Sequence, residues 1–259
     1  MSTKKNTAFE VPHGEVNTAT SKFLQALGED GSRVITQMKS DPAFVRRLAS
    51  FAKGGGYSPT VSHRRAQHIM GEFCLGPEVA MKHFDVEYAE AELAALAFIP
   101  IAESVLKACA TTHMLVAGAP LSILDIRERT QAKGKLFYQN EDAWYNKEKF
   151  AKDEKVACQW YLIRKEAVAN SFSKNWDEQN TLLTADECVP RACEVVSTTI
   201  LAFLATGTRL FEKSYVRCAD VSSLGRRVCV GGFDADGLDV SYGWGDRRAG
   251  RLGLAARRK

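Results

Sequence analysis

The feature that most constrains this chain is a change of hydrophobic period near residue 104. Before it apolar residues recur at helical spacing; after it they alternate or gather in short β-branched runs. SDPAFVRRLASFAKGGG sets Asp41 as an N-cap and Pro42 at the first helical position. Phe44, Leu48 and Phe51 then share one face before glycines stop the helix. RRAQHIMG, PEVAMKHF and VEYAEAELAALAF are rich in helix formers and are separated by Gly, Pro or Asp. KGGGYSPT, at 53–60, reads as a linker, because three glycines and a proline neither propagate a helix nor pair well as a strand.

After the change of period, THMLVAG, LSILDIRER, QWYLIRKEAV, KSYVRCADV and RRVCVGGF read as strands bounded by turn residues. NWDEQNTLL and RACEVVSTTILAFLATG lie between them. The second puts Val196, Ile200, Phe203 and Leu204 on one stripe and ends at Gly207, as a helix with a left-handed C-cap does. The expected class is α+β: a small helical N-terminal region over 1–104, then an α+β domain over 105–259.

Charge and motifs narrow the function more by exclusion than by assertion. Lys+Arg 35 against Asp+Glu 31 leaves +4, too weak and too spread an excess for a nucleic-acid binder. The exception is the terminus, where Arg247, Arg248, Arg251, Arg257, Arg258 and Lys259 are opposed only by Asp246. The N-terminus has no apolar run behind its lysines and no segment is long enough to span a membrane, which predicts a soluble, cytoplasmic protein. Seven scattered cysteines suit reduced core thiols rather than a disulfide framework.

Sites of chemistry are sparse. AKGGGY lacks the phosphate-loop order, and DADG at 234–237 reads as a turn because its glycine comes too early for a calcium loop and Gly245 stands where a bidentate glutamate is needed. WGDR, at 244–247, offers one carboxylate and reads as a solvent-facing loop. Cys188 and Cys193 are not at zinc-ligand spacing, and no G-x-S-x-G elbow occurs. Histidines 13, 63, 68, 83 and 113 fall in the first half, with His63 and His68 on different sides of a helix, so the strand region is read as having no general base. The expectation is a non-enzyme with no catalytic residue, metal or cofactor.

The ending, GGFDADGLDVSYGWGDRRAGRLGLAARRK, is not composed like a disordered tail. Phe233, Leu238, Val240, Trp244, Leu252 and Leu254 recur through it, and Leu252 and Leu254 alternate with glycine as in a final strand packed on a core. Ser241, Tyr242, Arg247, Arg248 and Arg251 would then face solvent together, and these are residue types that adaptable binding surfaces use.

KLFYQNEDAWYNKEKFAKD, WYLIRKEAVANSFSKNWDEQNTLL, FLATGTRLFEKSYVRCAD, RVCVGGFDADGLDV and LGLAARRK, in this order over about residues 60–259, resemble the variable proteins of diversity-generating retroelements. The resemblance implies a C-type-lectin-like fold of the formylglycine-generating-enzyme branch, used as a scaffold. In that family a reverse transcriptase copies a template RNA with errors at adenines, and the copy replaces the 3′ end of the gene. AAC codons so treated never yield Lys, Glu, Gln, Met or Trp, and SYGWGDRRAGR fits that rule apart from Trp244. The implied variable region is about 231–259. Its implied variable, ligand-binding positions are Asp239, Ser241, Tyr242, Gly243, Gly245, Arg247, Arg248, Gly250, Arg251, Ala256 and Arg257. Phe233, Leu238, Trp244, Asp246, Leu252 and Leu254 would be scaffold anchors. The implied partner is a protein or other macromolecule; the oligomeric state stays open, with a monomer favoured. Two alternatives stand beside this reading: a formylglycine-generating-type enzyme using Cys218 or Cys229, and a nucleic-acid module using the terminal arginines.

Overall fold

The computed structural model describes residues 12–53, 57–139 and 141–259. The chain falls into two units that divide between residues 56 and 57. Residues 54–56, the centre of the expected linker, lie outside the described residues.

The first unit holds α1 (His13–Leu27), α2 (Gly31–Ser40) and α3 (Pro42–Lys53). Asp41 caps α3 as expected, its Oδ1 accepting from the amides of Ala43 (2.9 Å) and Phe44 (3.0 Å). Phe44 and Leu48 are half-buried and Phe51 is exposed, so the apolar face of α3 is only partly covered.

The second unit begins at Tyr57, so the boundary expected at residue 104 falls inside it. Its first elements are α4 (Val61–Met70), β1 (Cys74–Leu75), α5 (Pro77–Phe84), α6 (Glu90–Leu96) and α7 (Glu103–Cys109). They share one core with the strands further along the chain: Phe84 and Leu96 sit in the same buried cluster as Leu115, Ile163 and Val230. The chain continues through β2 (His113–Ala117), α8 (Ile123–Thr130), α9 (Lys149–Lys152), β3 (Trp160–Arg164), α10 (Trp176–Asn180), β4 (Glu187–Cys188) and α11 (Ala192–Thr206). It ends with β5 (Tyr215–Val221), β6 (Arg227–Asp234), β7 (Gly237–Gly243), β8 (Leu252–Leu254) and β9 (Arg257–Arg258). The class is α+β, with two mixed sheets ordered β1-β2-β3-β9-β4 and β7-β6-β5-β8. β9 thus sits inside the first sheet, while β8 adds parallel to β5 in the second.

Three expectations are corrected. LSILDIRER is not a strand but α8, because Ser122 and Asp125 form a reciprocal capping box. The Asp125 amide donates to Ser122 Oγ (3.1 Å) and the Ser122 amide to Asp125 Oδ2 (2.9 Å), which outweighs the β-branched Ile123 and Ile126. α11 ends at Gly207 (φ 78°) as expected, yet it is buried on all sides over Ala192–Ala202 rather than along one stripe. It packs on α5, α8, β5 and β6 as a central helix. The strand region does contain a histidine: His113 opens β2 and is buried.

DADG makes the hairpin turn between β6 and β7, with the Asp236 amide donating to Asp234 Oδ1 (2.8 Å). Gly237 has φ 104°, and a Cβ there would lie 2.5 Å from the Phe137 carbonyl carbon, so glycine is required twice over. All seven cysteines are free.

Candidate functional site

Between β7 and β8 the chain makes a loop, Trp244–Arg251, and the manner of its attachment is the main feature of the site. Residues outside the loop hold it by its carbonyl oxygens. The Trp176 amide donates to Gly245 O (2.8 Å), the Ser173 amide to Ala249 O (3.0 Å) and the Tyr215 amide to Arg251 O (2.7 Å). Arg217, on β5, completes the set: its Nη2 donates to Trp244 O (3.4 Å) and to Arg247 O.

Arg217 is wholly buried, and its two terminal nitrogens carry all of its hydrogen bonds while its Nε has no partner among the described residues. Its Nη1 donates to Gln179 Oε1 (2.7 Å) and Lys174 O (3.1 Å). Gln179, also fully buried on α10, turns its Nε2 to Ser171 O (2.7 Å) and Leu252 O (3.1 Å). α10 is set in place by a capping box: the Glu178 amide donates to Asn175 Oδ1 and the Asn175 amide to Glu178 Oε2, both at 2.9 Å. Burial holds the Arg217 pKa below its ordinary value.

The outer face of this frame carries a cavity of about 450 Å³, lined by Tyr215, Cys229, Leu252 and, from the predicted surface, Ser241, Tyr242, Arg247, Gly250 and Arg251. The structure therefore gathers five predicted positions around one concavity. Tyr242 is exposed, Ser241 is half-buried, and Arg247, Arg248, Gly250 and Arg251 are exposed. Gly245 is half-buried with its carbonyl held by Trp176. Asp239, half-buried, accepts from the Tyr215 hydroxyl (3.1 Å); burial raises its pKa and that hydrogen bond opposes the rise. Cys229 forms part of the lining, and burial pushes its thiol up to about 12, against the pull of Arg217 and Arg247.

Beside the cavity runs an aromatic row. Trp144 donates its indole N–H to Val240 O (2.7 Å) and meets Tyr242 edge-on, with ring centroids 4.6 Å apart. The Arg226 guanidinium lies over Tyr242 (4.7 Å) and over Trp244 (4.9 Å).

Several assignments change. Phe233, Leu238, Leu252 and Leu254 are buried as anchors, and Phe233 packs edge-on against Phe203 of α11. Trp244 is not buried: 53% of it is exposed, because the loop is held by main-chain bonds and needs no apolar plug. Asp246, the one charged anchor expected, is exposed as well. Gly243 is buried at the end of β7. Ala256 is fully buried, and Arg257 is half-buried on β9 with its Nε 3.2 Å from Glu194 Oε2, so neither joins the loop surface.

The alternatives fare differently under this geometry. Arg217 pairs with Cys229 across β5 and β6, and side chains alternate along a strand, so Cys218 faces away from Cys229. Two thiols on opposite faces of a sheet do not share one metal ion. No cluster of three or more His, Cys, Asp or Glu able to hold a metal occurs among the described residues. The terminal cations are dispersed: Arg248 pairs with Glu178 (2.8 Å), Arg257 with Glu194 and Arg258 with Asp186 (3.3 Å). Among the described residues no helix is long and apolar enough to cross a membrane.

Arg217, Gln179, Trp144 and Arg226 escape a reading of the sequence. A single arginine inside KSYVRCADV breaks no alternation, and nothing local marks it as buried; NWDEQN, by contrast, carries a legible N-x-x-E cap. No family model, curated protein or solved structure matches the chain.

Proposed function

We propose that this chain is a ligand-binding protein whose C-terminal surface is diversified by a retroelement, on a C-type-lectin-like scaffold, and that it performs no catalytic step. The observation that carries the reading is the grip on the loop: Trp176, Ser173, Tyr215 and Arg217 hold Trp244–Arg251 through backbone carbonyls alone. A loop held this way keeps its course whatever side chains it bears, since exposed substitutions away from special features cost within about 0.5 kcal/mol. The lectin-like part of the reading is supported by the terminal strand β9 set within a sheet while the loop before it stays outside.

Variation then belongs at Ser241, Tyr242, Gly245, Arg247, Arg248, Gly250 and Arg251, with Asp239 at the margin. Trp244, which adenine-directed change does not produce, is a constant aromatic contact among changing neighbours. Its exposure and its stacking with Arg226 suit a partner surface, where aromatic and arginine anchors dominate affinity.

Sister genes and flanking DNA test this. The expected result is variation concentrated at the exposed positions of 239–251, with a near-repeat of the 3′ DNA beside a reverse-transcriptase gene. Variation spread evenly through the chain, with neither repeat nor transcriptase nearby, would sink the reading.

A further inference from the structure

The cavity against this loop has a chemical bias that narrows its ligand. Resting on the ligand-binding reading above, we propose that it receives a carboxylate, carried by an acidic side chain or chain terminus of a protein partner, and pairs it with Arg247 and Arg251.

Both charged residues in the lining are cations, and among the described residues no acid lines the cavity. Arg248, Arg257 and Arg258 already face Glu178, Glu194 and Asp186. Arg247, by contrast, has no side-chain hydrogen bond or ion pair among the described residues. Arg251 spends only its Nε, on Lys213 O (2.8 Å), which steadies the side chain and leaves both terminal nitrogens to a ligand. A guanidinium with both terminal nitrogens free matches a carboxylate in bidentate fashion. Ser241 and Tyr242 add hydroxyls, while Leu252 and Cys229 give the cavity an apolar part. Asp239 lies outside the lining and takes the Tyr215 hydroxyl.

The volume, about 450 Å³, accommodates an extended side chain with part of its backbone rather than a bare ion. Exposed Trp244, stacked with Arg226 alongside, offers a flat apolar contact of the kind peptides use. A nucleic acid fits less well: it needs a track of free cations along successive phosphates, and here Glu178 neutralises Arg248 and Asp246 lies exposed in the same loop.

Panning a random peptide library against the full chain provides the test, with binding remeasured on the Arg247→Ala/Arg251→Ala double variant. Both arginines are exposed, so the fold is retained, which circular dichroism checks. The expected outcome is selected peptides sharing an Asp, a Glu or a required free C-terminus. Amidating that group, or the double substitution, then weakens binding about tenfold or more. Peptides without a shared acid that still lose binding in Tyr242→Ala or Trp244→Ala overturn the carboxylate assignment and leave the loop as a binding surface. Peptides indifferent to all of these variants bind elsewhere, and both readings fall. A single-stranded oligonucleotide bound more tightly than any peptide, or recovery of no peptide at all, also overturns the assignment.

Discussion

Trp244–Arg251 and Leu252–Arg258 are adjacent in the chain and share glycine, alanine and arginine, yet they are held in different ways. The first is tied by its carbonyls to residues elsewhere and turns its side chains outward. The second is tied by backbone and side chain together: the Leu254 and Ala256 carbonyls accept from the Val168 and Arg164 amides, both residues are wholly buried, and at Gly253 a Cβ would come within 2.6 Å of Ala167 Cβ. Composition therefore does not decide what a segment tolerates. What decides it is whether the side chains join the backbone in carrying the attachment.

The comparison breaks most sharply at Arg217. Arg217→Met leaves Gln179 Oε1 and the loop carbonyls without their buried donor, and is expected to cost about 3 kcal/mol in chemical denaturation. Limited proteolysis is expected to cut first within 244–251; a variant of unchanged stability and cleavage pattern would show that the clamp does not matter. Ala256→Arg, a change to a residue type that the loop carries freely, is expected to cost about 2–3 kcal/mol by overpacking a site with no exposed surface. A neutral result there would erase the distinction between the two segments.

A third, pH-dependent effect of about 2 kcal/mol at pH 5 belongs to the sheet that takes in β9. His113 is buried beside Arg164, Glu187, Arg258 and Lys165, around β9, and its Nδ1 meets Thr112 Oγ1 at 2.8 Å. Burial first, then the Arg164 charge, lower its pKa from 6.5 to about 4. The unfolded chain then binds a proton that the folded one refuses, so stability is full above pH 6.5 and falls as pH drops towards 4. Denaturation curves at pH 7 and pH 5 are expected to differ less in His113→Phe than in the parent chain. The smallest effects are expected in the loop: Arg247→Ala, Arg248→Ala and Gly250→Ser should each shift stability by no more than about 0.5 kcal/mol. A loss of several times that at any of the three would mean that the loop's side chains help to hold it.

Much of this frame is legible before any coordinates. The capped helix at 42–53, the strands at 113–117, 160–164, 215–221 and 227–234, and the glycine stop at 207 all come from local pattern. α8 is misread when Ile123 and Ile126 are weighed above the Ser122–Asp125 cap beside them. The boundary at 104 fails because a change of period marks a change of element, and a shared core spans both kinds. The exposure of Trp244 and the burial of Arg217 invert what side-chain chemistry alone suggests. Each depends on partners well separated along the chain, and no short window contains them.

Ser173, Trp176, Gln179, Tyr215 and Arg217 all precede residue 231. Under the proposed function, a 3′ cassette swapped into the gene would meet a ready-made socket encoded upstream of the rewritten stretch, and every newly issued version would be seated by the same five residues as the last.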